Sequence, residues 1–226
     1  MTYTPYVWLL WITAIMNGGL AYYTQRYNDA PSAKPFRFMM WNAAIWAFLY
    51  GVSASTDIFS FKLFIINLIY IPAQLAALAA LALALEYTWQ GGWLTRQRLI
   101  LLLIPPVFFV IFAFTSQSHQ LWRYDYQLVW SGAVSVIVAS KGLVYWAYIA
   151  YMLGLALSAF AILVISIRQR IHLARNNLVL SIGVLIPTIV GALYVFGLTP
   201  VRGFDWTSSS FVVMGLLYIW VVTRGR

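Results

Sequence analysis

Asn67, Tyr70 and Gln74 recur at spacings of three and four inside an otherwise apolar run, which puts two amides and a phenol on one face of a helix. Trp46, Tyr50 and Ser53 repeat the pattern in the run before it. None of these groups is a strong acid, base or nucleophile. Their chemistry is hydrogen bonding, and in a medium without water a buried amide or phenol needs a partner. The partner is either a neighbouring helix or a molecule held in a pocket, and the spacing is compatible with both.

The chemistry that the chain lacks is as informative. There is no cysteine, which excludes disulfides and thiolate ligands. The two histidines, His119 and His172, lie in separate loops, so a clustered metal site is not expected and no cofactor is implied. The apolar run 208–223 has no lysine that could hold retinal as a Schiff base. Charged residues along a proton or ion path are missing from the apolar runs. Catalysis and ion pumping are therefore not expected. His119 and Asp205 fall in loops on the same side and could pair, and His119 is the one group there that titrates near neutrality.

The elements that must position these residues follow from hydropathy. Of the 226 residues 63% are hydrophobic and only 8% charged, a composition that suits a bilayer rather than one soluble core. Apolar runs predict seven membrane helices over 5–23, 38–56, 61–87, 99–114, 143–167, 177–198 and 208–223, an all-α bundle forming one domain over residues 1–226. The connection between the fourth and fifth runs differs from an ordinary loop. It holds Trp122, Tyr124, Tyr126 and Trp130, then Val134, Val136 and Val138 at period two, which reads as a short strand or hairpin over the membrane surface, in preference to a re-entrant segment. Small residues at every fourth position, Ala76, Ala80 and Ala84 in the third run and Ala150, Gly154 and Ser158 in the fifth, predict close helix packing inside the bundle.

Basic residues give the chain a direction. Arg26, Lys34, Arg37, Arg96, Arg98, Arg168, Arg170, Arg175, Arg224 and Arg226 fall on one side of the predicted spans, against Lys62, Arg123, Lys141 and Arg202 on the other. Ten against four places the first set in the cytoplasm and the N-terminus outside. The net charge of +9 is then read as topology and lipid headgroup contact, not nucleic-acid binding. The seventh run reaches only about 24 Å at 1.5 Å per residue, short of the roughly 30 Å hydrocarbon core. A helix that continues past Arg226 into an output module is the expectation drawn from it.

Several stretches carry a family likeness. They are Pro35-Phe36 followed by Trp46 and Tyr50; Leu85-Glu86-Tyr87-Thr88 ahead of Trp93-Leu94 and a basic pair; Pro105 followed by the segment from Thr115 to Trp122; and Gly197-Leu198-Thr199-Pro200 with Asp205 ahead of Phe211 and Gly215. With these the whole chain resembles the N-terminal seven-transmembrane sensor region of bacterial histidine kinases. The resemblance implies a non-enzymatic receptor domain in the inner membrane that passes an outside signal through its last helix to a cytoplasmic effector. The candidate ligand site is then the outer half of the bundle and its lid: Trp46, Tyr50, Asn67, Tyr70, Gln74, His119, Trp122, Tyr194 and Asp205. Expected partners are membrane lipids, a small apolar or amphipathic ligand and a second copy through the full-length protein. A small-molecule carrier is the competing reading.

Overall fold

The computed structural model describes residues 5–30, 32–131, 134–169, 174–201 and 203–224. Seven α-helices lie within them: α1 Pro5–Tyr23, α2 Ala33–Ala54, α3 Phe59–Tyr87, α4 Arg96–Phe114, α5 Leu143–Gln169, α6 Ala174–Val195 and α7 Thr207–Arg224. Most extend a few residues past the apolar runs, because a helix continues its hydrogen bonding into polar flanks where hydropathy has already fallen. At α2 this brings in Lys34 and Pro35, with Pro35 in the first turn, where its missing N–H costs nothing. Arg170, His172, Arg202 and Arg226, on which parts of the topology and loop expectations rest, lie outside the described residues.

The connection between α4 and α5 is the expected hairpin. Strands β1 Arg123–Ser131 and β2 Val134–Lys141 pair antiparallel, from Arg123 opposite Lys141 to Ser131 opposite Val134. The register shifts between Tyr124 and Gln127, where Asp125 takes a left-handed backbone. Period two alone would bury one face of β2. Instead Val134, Ser135, Val136 and Ile137 are all buried, because the strand lies between the bundle end and β1.

Helices α1, α2, α3, α5, α6 and α7 contact one another in a closed ring, and α4 packs outside against α3 and α5. Helix α3 is the most enclosed: its alanines Ala73, Ala76, Ala79, Ala80 and Ala84 are buried in the main core. Without bulk beyond Cβ, that face lets neighbouring backbones close in, as its four-residue stripe predicts. The second stripe behaves differently. Ala150, Gly154 and Ser158 are exposed on the outside of α5. Its inward face belongs to Tyr145, Tyr148, Leu155, Ala159 and Leu163, since the large side chains fill the bundle and the small ones are left on the rim.

The outer surface of the bundle is apolar. Ile15 is 74% exposed and Leu143 77%, and Leu101, Ile104 and Val107 line the outside of α4. Soluble monomers rarely expose contiguous apolar surface on this scale. Helices α3, α4, α5 and α6 are long and apolar enough to cross a membrane, and the apolar part of α7, Thr207–Thr223, is shorter. Helices α1 and α2 fall below the same limit by composition, since they carry Asn17, Asn42, Lys34 and Arg37 among their aromatic residues. Exposed Trp8 and Trp146 stand near the hairpin end and exposed Trp89 and Trp93 near the opposite end, the positions that indole rings favour at a bilayer interface.

Prolines inside the helices create a backbone problem that one side chain solves. Pro106 has no N–H, so the Leu102 carbonyl four residues earlier loses its helical partner. The Tyr151 hydroxyl of α5 donates to that carbonyl at 2.6 Å and thereby ties α4 to the ring. At the other end of α5, Gly142 and Val144 donate to the Trp122 and Leu121 carbonyls and weld the helix to the start of β1. A Cβ at Gly142 would overlap the carbonyl groups of Gln120 and Leu121.

Two outcomes follow. Tyr151→Phe is expected to lower stability by about 1–2 kcal/mol, the cost of one orphaned carbonyl in an apolar medium, seen as faster hydrogen exchange in α4. Gly142→Ala is expected to lower the melting temperature further, whereas Gly154→Ala, which meets open space, leaves it unchanged.

Candidate functional site

A cavity of about 180 Å³ opens under the hairpin, enclosed by α2, α3, α5, α6, α7 and β2. From α2 it takes Trp46, Tyr50 and Ser53, the face that the sequence singles out. From α3 it takes Lys62, Ile66, Ile69, Ala73, Ala77 and Ala80, with Tyr70 at the edge of that stripe. This is the neighbouring face to the one bearing Asn67 and Gln74. Tyr145 and Tyr148 of α5, Tyr194 of α6, and Asp205, Thr207, Phe211 and Met214 complete the walls.

Five of the nine expected residues therefore meet at the cavity: Trp46, Tyr50, Tyr70, Tyr194 and Asp205. The other four do not line it. Asn67 is buried away from it. Gln74 is fully buried and turns back on its own helix, where its Nε2 donates to the Tyr70 carbonyl at 2.8 Å. Its Oε1 is buried without a hydrogen-bond partner among the described residues. Trp122 is fully buried behind the wall, edge-on to Tyr70 with ring centroids 5.0 Å apart.

His119 is held locally. Its Nδ1 accepts the Leu121 N–H at 3.3 Å, and its Nε2 lies 3.0 Å from Thr115 Oγ1. Because the Thr115 hydroxyl already donates to the Ile111 carbonyl, the Nε2 position donates to it. The expected pair with Asp205 does not form. The Asp205 Oδ1 accepts the N–H of Thr207 at 2.8 Å, at the first residue of α7. A carboxylate there satisfies an orphan donor and faces the positive end of the helix dipole. The Asp205 N–H in turn donates to the Tyr50 hydroxyl at 2.9 Å, so α2 and the start of α7 are joined through one phenol.

The sequence reading assigns Lys62 and Arg123 to topology, yet both line the cavity. Lys62 is 1% exposed, and its Nζ donates to the Ser135 carbonyl at 2.6 Å. The Ser135 hydroxyl donates to Asp57 Oδ1, also at 2.6 Å, which fixes the hairpin to the α2–α3 turn. Arg123 is 7% exposed; its Nη1 donates to the Tyr70 hydroxyl at 3.0 Å and its Nη2 to the Ile137 carbonyl at 3.4 Å. A lysine at the second position of an apolar run and an arginine opening an aromatic strand are signals that point this way. Burial lowers the Lys141 ammonium from its ordinary range and the nearby Arg123 charge adds to the effect, so positive charge gathers at this end.

This arrangement is built for holding a molecule. It offers an apolar chamber with hydroxyls and a cation at one end, and no nucleophile set against a base. A family model described as the N-terminal 7TM region of histidine kinase matches residues 9–226. Comparison with curated proteins gives no match, and comparison with solved structures gives none either. With its apolar helices the chain is a multi-pass membrane protein whose family role lies in signal transduction.

Burial raises the Asp205 carboxyl above its ordinary value, against the opposing bonds from Thr207. The folded chain thus holds that proton more readily than the unfolded chain. The Asp205 contribution to stability accordingly grows as pH falls from the raised value towards the ordinary carboxylate value of 3.8. Melting in detergent across mildly acidic pH is expected to show this rise, and Asp205→Asn, which keeps an acceptor for Thr207, to lose it.

Proposed function

Since the chain belongs to the N-terminal seven-transmembrane regions of histidine kinases, we propose that it is the sensory input of such a kinase. A small apolar or amphipathic molecule enters the cavity under the hairpin and changes how α7 packs. In this reading all seven helices cross the inner membrane, the N-terminus and hairpin face outward, and α7 leads to a cytoplasmic kinase. The excess of basic residues at the end opposite the hairpin supports that orientation.

One observation carries the reading: α7 touches the cavity and runs on to the opposite end. Its Thr207, Phe211 and Met214 line the cavity. About one turn beyond Met214, Tyr218 stacks on Phe36 of α2 with centroids 3.9 Å apart and planes 12° apart. In its first turn the helix is held to α1 by hydroxyl and amide contacts, Thr13 to Ser209 and Asn17 to the Ser208 carbonyl, both at 3.2 Å. A ligand that binds one packing of Phe211 and Met214 better than another shifts the population of α7 positions by that difference in affinity. The aromatic stack and the core around it pass the shift along, since packed interiors rearrange in discrete steps rather than by continuous yielding.

Filling the cavity tests this. In the chain joined through α7 to a histidine kinase domain, Ala77→Trp is expected to fix autophosphorylation at one level, at least about fivefold from the native basal level. Ile45→Trp, on the exposed side of α2, is expected to leave it native. Native output from the Ala77→Trp protein would remove the sensory reading.

A further inference from the structure

Among the described residues, two cations and two carboxylates stand around the cavity, but they are not all matched in space. Lys62 has Asp57 close enough to oppose its desolvation, through the Ser135 bridge. Asp205 is turned to the start of α7. Arg123 forms no ion pair with a carboxylate among the described residues; its partners are a phenol, a carbonyl and the face of Tyr126, whose centroid lies 5.5 Å from the guanidinium. A guanidinium has five N–H donors in a planar fork, and the side-chain bonds here use two. Burying an arginine with neutral partners only is costly, and the shortfall is met when an anion shares the site.

The surroundings are suited to that anion. The hydroxyls of Tyr145, Tyr148 and Tyr194, all on the cavity wall, make no hydrogen bond within the described residues, and those of Tyr145 and Tyr194 remain as donors near Arg123. Below them the walls turn apolar and narrow in side-chain size, through Ile69, Ala73, Ala77 and Ala80 on one side and Met152 and Ala156 on the other. From Lys62 to Ala80 the wall of α3 extends about 27 Å at 1.5 Å per residue. The cavity is thus an elongated apolar slot with one uncompensated cation at its hairpin end.

We propose that the ligand is a single-chain amphiphile with an anionic head, the head held by Arg123 and the tyrosine hydroxyls and the tail lying along the alanine face of α3. The inference rests on the sensory reading and specifies its ligand class. A carboxylate and a phosphate monoester share the needed chemistry, since both accept two parallel N–H bonds from a guanidinium.

Equilibrium binding of labelled amphiphiles to the whole chain in discs of zwitterionic lipid, corrected with protein-free discs, tests it. Dodecanoate, dodecyl phosphate, dodecanol and dodecyltrimethylammonium share one tail and differ in head. At least one anionic probe is expected to bind saturably, about tenfold or more tighter than dodecanol, with the cationic probe weakest. The tighter of the two anions identifies the head. Arg123→Gln is expected to erase the preference for an anion while dodecanol binding stays. Because that variant removes bonds to Tyr70 and Ile137, Tyr194→Phe serves beside it, and is expected to weaken the anionic probe severalfold and leave dodecanol unchanged. Dodecanol binding as tightly as both anions, or no saturable binding by either anion, would overturn the proposal. If the Ala77→Trp protein still fixes kinase output in that case, the sensory reading stands and only the ligand class falls; if output is native, both fall.

Discussion

Two cations carried under a hairpin hold this end of the molecule together. Lys62 and Arg123 are covered almost completely, and each joins α3 to the hairpin through a hydrogen bond with a charged donor: Lys62 of α3 to the Ser135 carbonyl of β2, and Arg123 of β1 to the Tyr70 hydroxyl of α3. In low dielectric such bonds are strong when made and expensive when missing, so β2 cannot drift from the bundle without stranding a charge. The cavity exists because of that anchoring. With the hairpin fixed on Lys62 and Asp57, the mouth between α2, α3, α6 and α7 is roofed and need not be filled by side chains.

The same logic explains what the sequence made legible. The apolar runs marked every helix, since hydropathy and the length of a bilayer leave few alternatives. Period-two valines marked the hairpin. On α2 the face of Trp46, Tyr50 and Ser53 lines the cavity, because its aromatic and polar members point the same way. On α3 the amide residues lie off it. Gln74 is buried, with its Nε2 turned to its own backbone and its Oε1 without a partner among the described residues. The cavity face is composed of alanines, isoleucines and a lysine, none of which announces a pocket. Lys62 and Arg123 looked like topology markers because single cations at span ends normally reach for water. Their burial depends on pairing with strand residues far along the chain, which local patterns do not reveal. His119 is the converse case, a titratable side chain whose ring nitrogens are both used within its own loop.

Helix α7 is the element on which the family role and the geometry meet. A sensory region of a histidine kinase must connect a binding event with an exit helix, and here one helix has its first turns on the cavity and its later turns in the main core. Its contacts differ in kind along its length: hydroxyls and an amide towards α1 near the cavity, then the flat stack of Tyr218 on Phe36. Beside the stack the Ser32 hydroxyl donates to the Tyr218 hydroxyl at 3.4 Å, so a polar contact fixes the helix at this end as well.

The central position of α3 also sets a timetable for biosynthesis. It follows α1 and α2 out of the ribosome but precedes the elements that cover its remaining sides. Its alanine face first meets lipid tails and exchanges them for helix backbones only as later helices arrive. Lys62 waits through a long stretch of synthesis, because Ser135 lies 73 residues downstream. At typical synthesis rates of about 5–20 residues per second the ammonium spends roughly 4–15 s without its native acceptor. A position near the start of α3 makes this wait tolerable, since the lysine can keep to the headgroup layer until the hairpin closes over it.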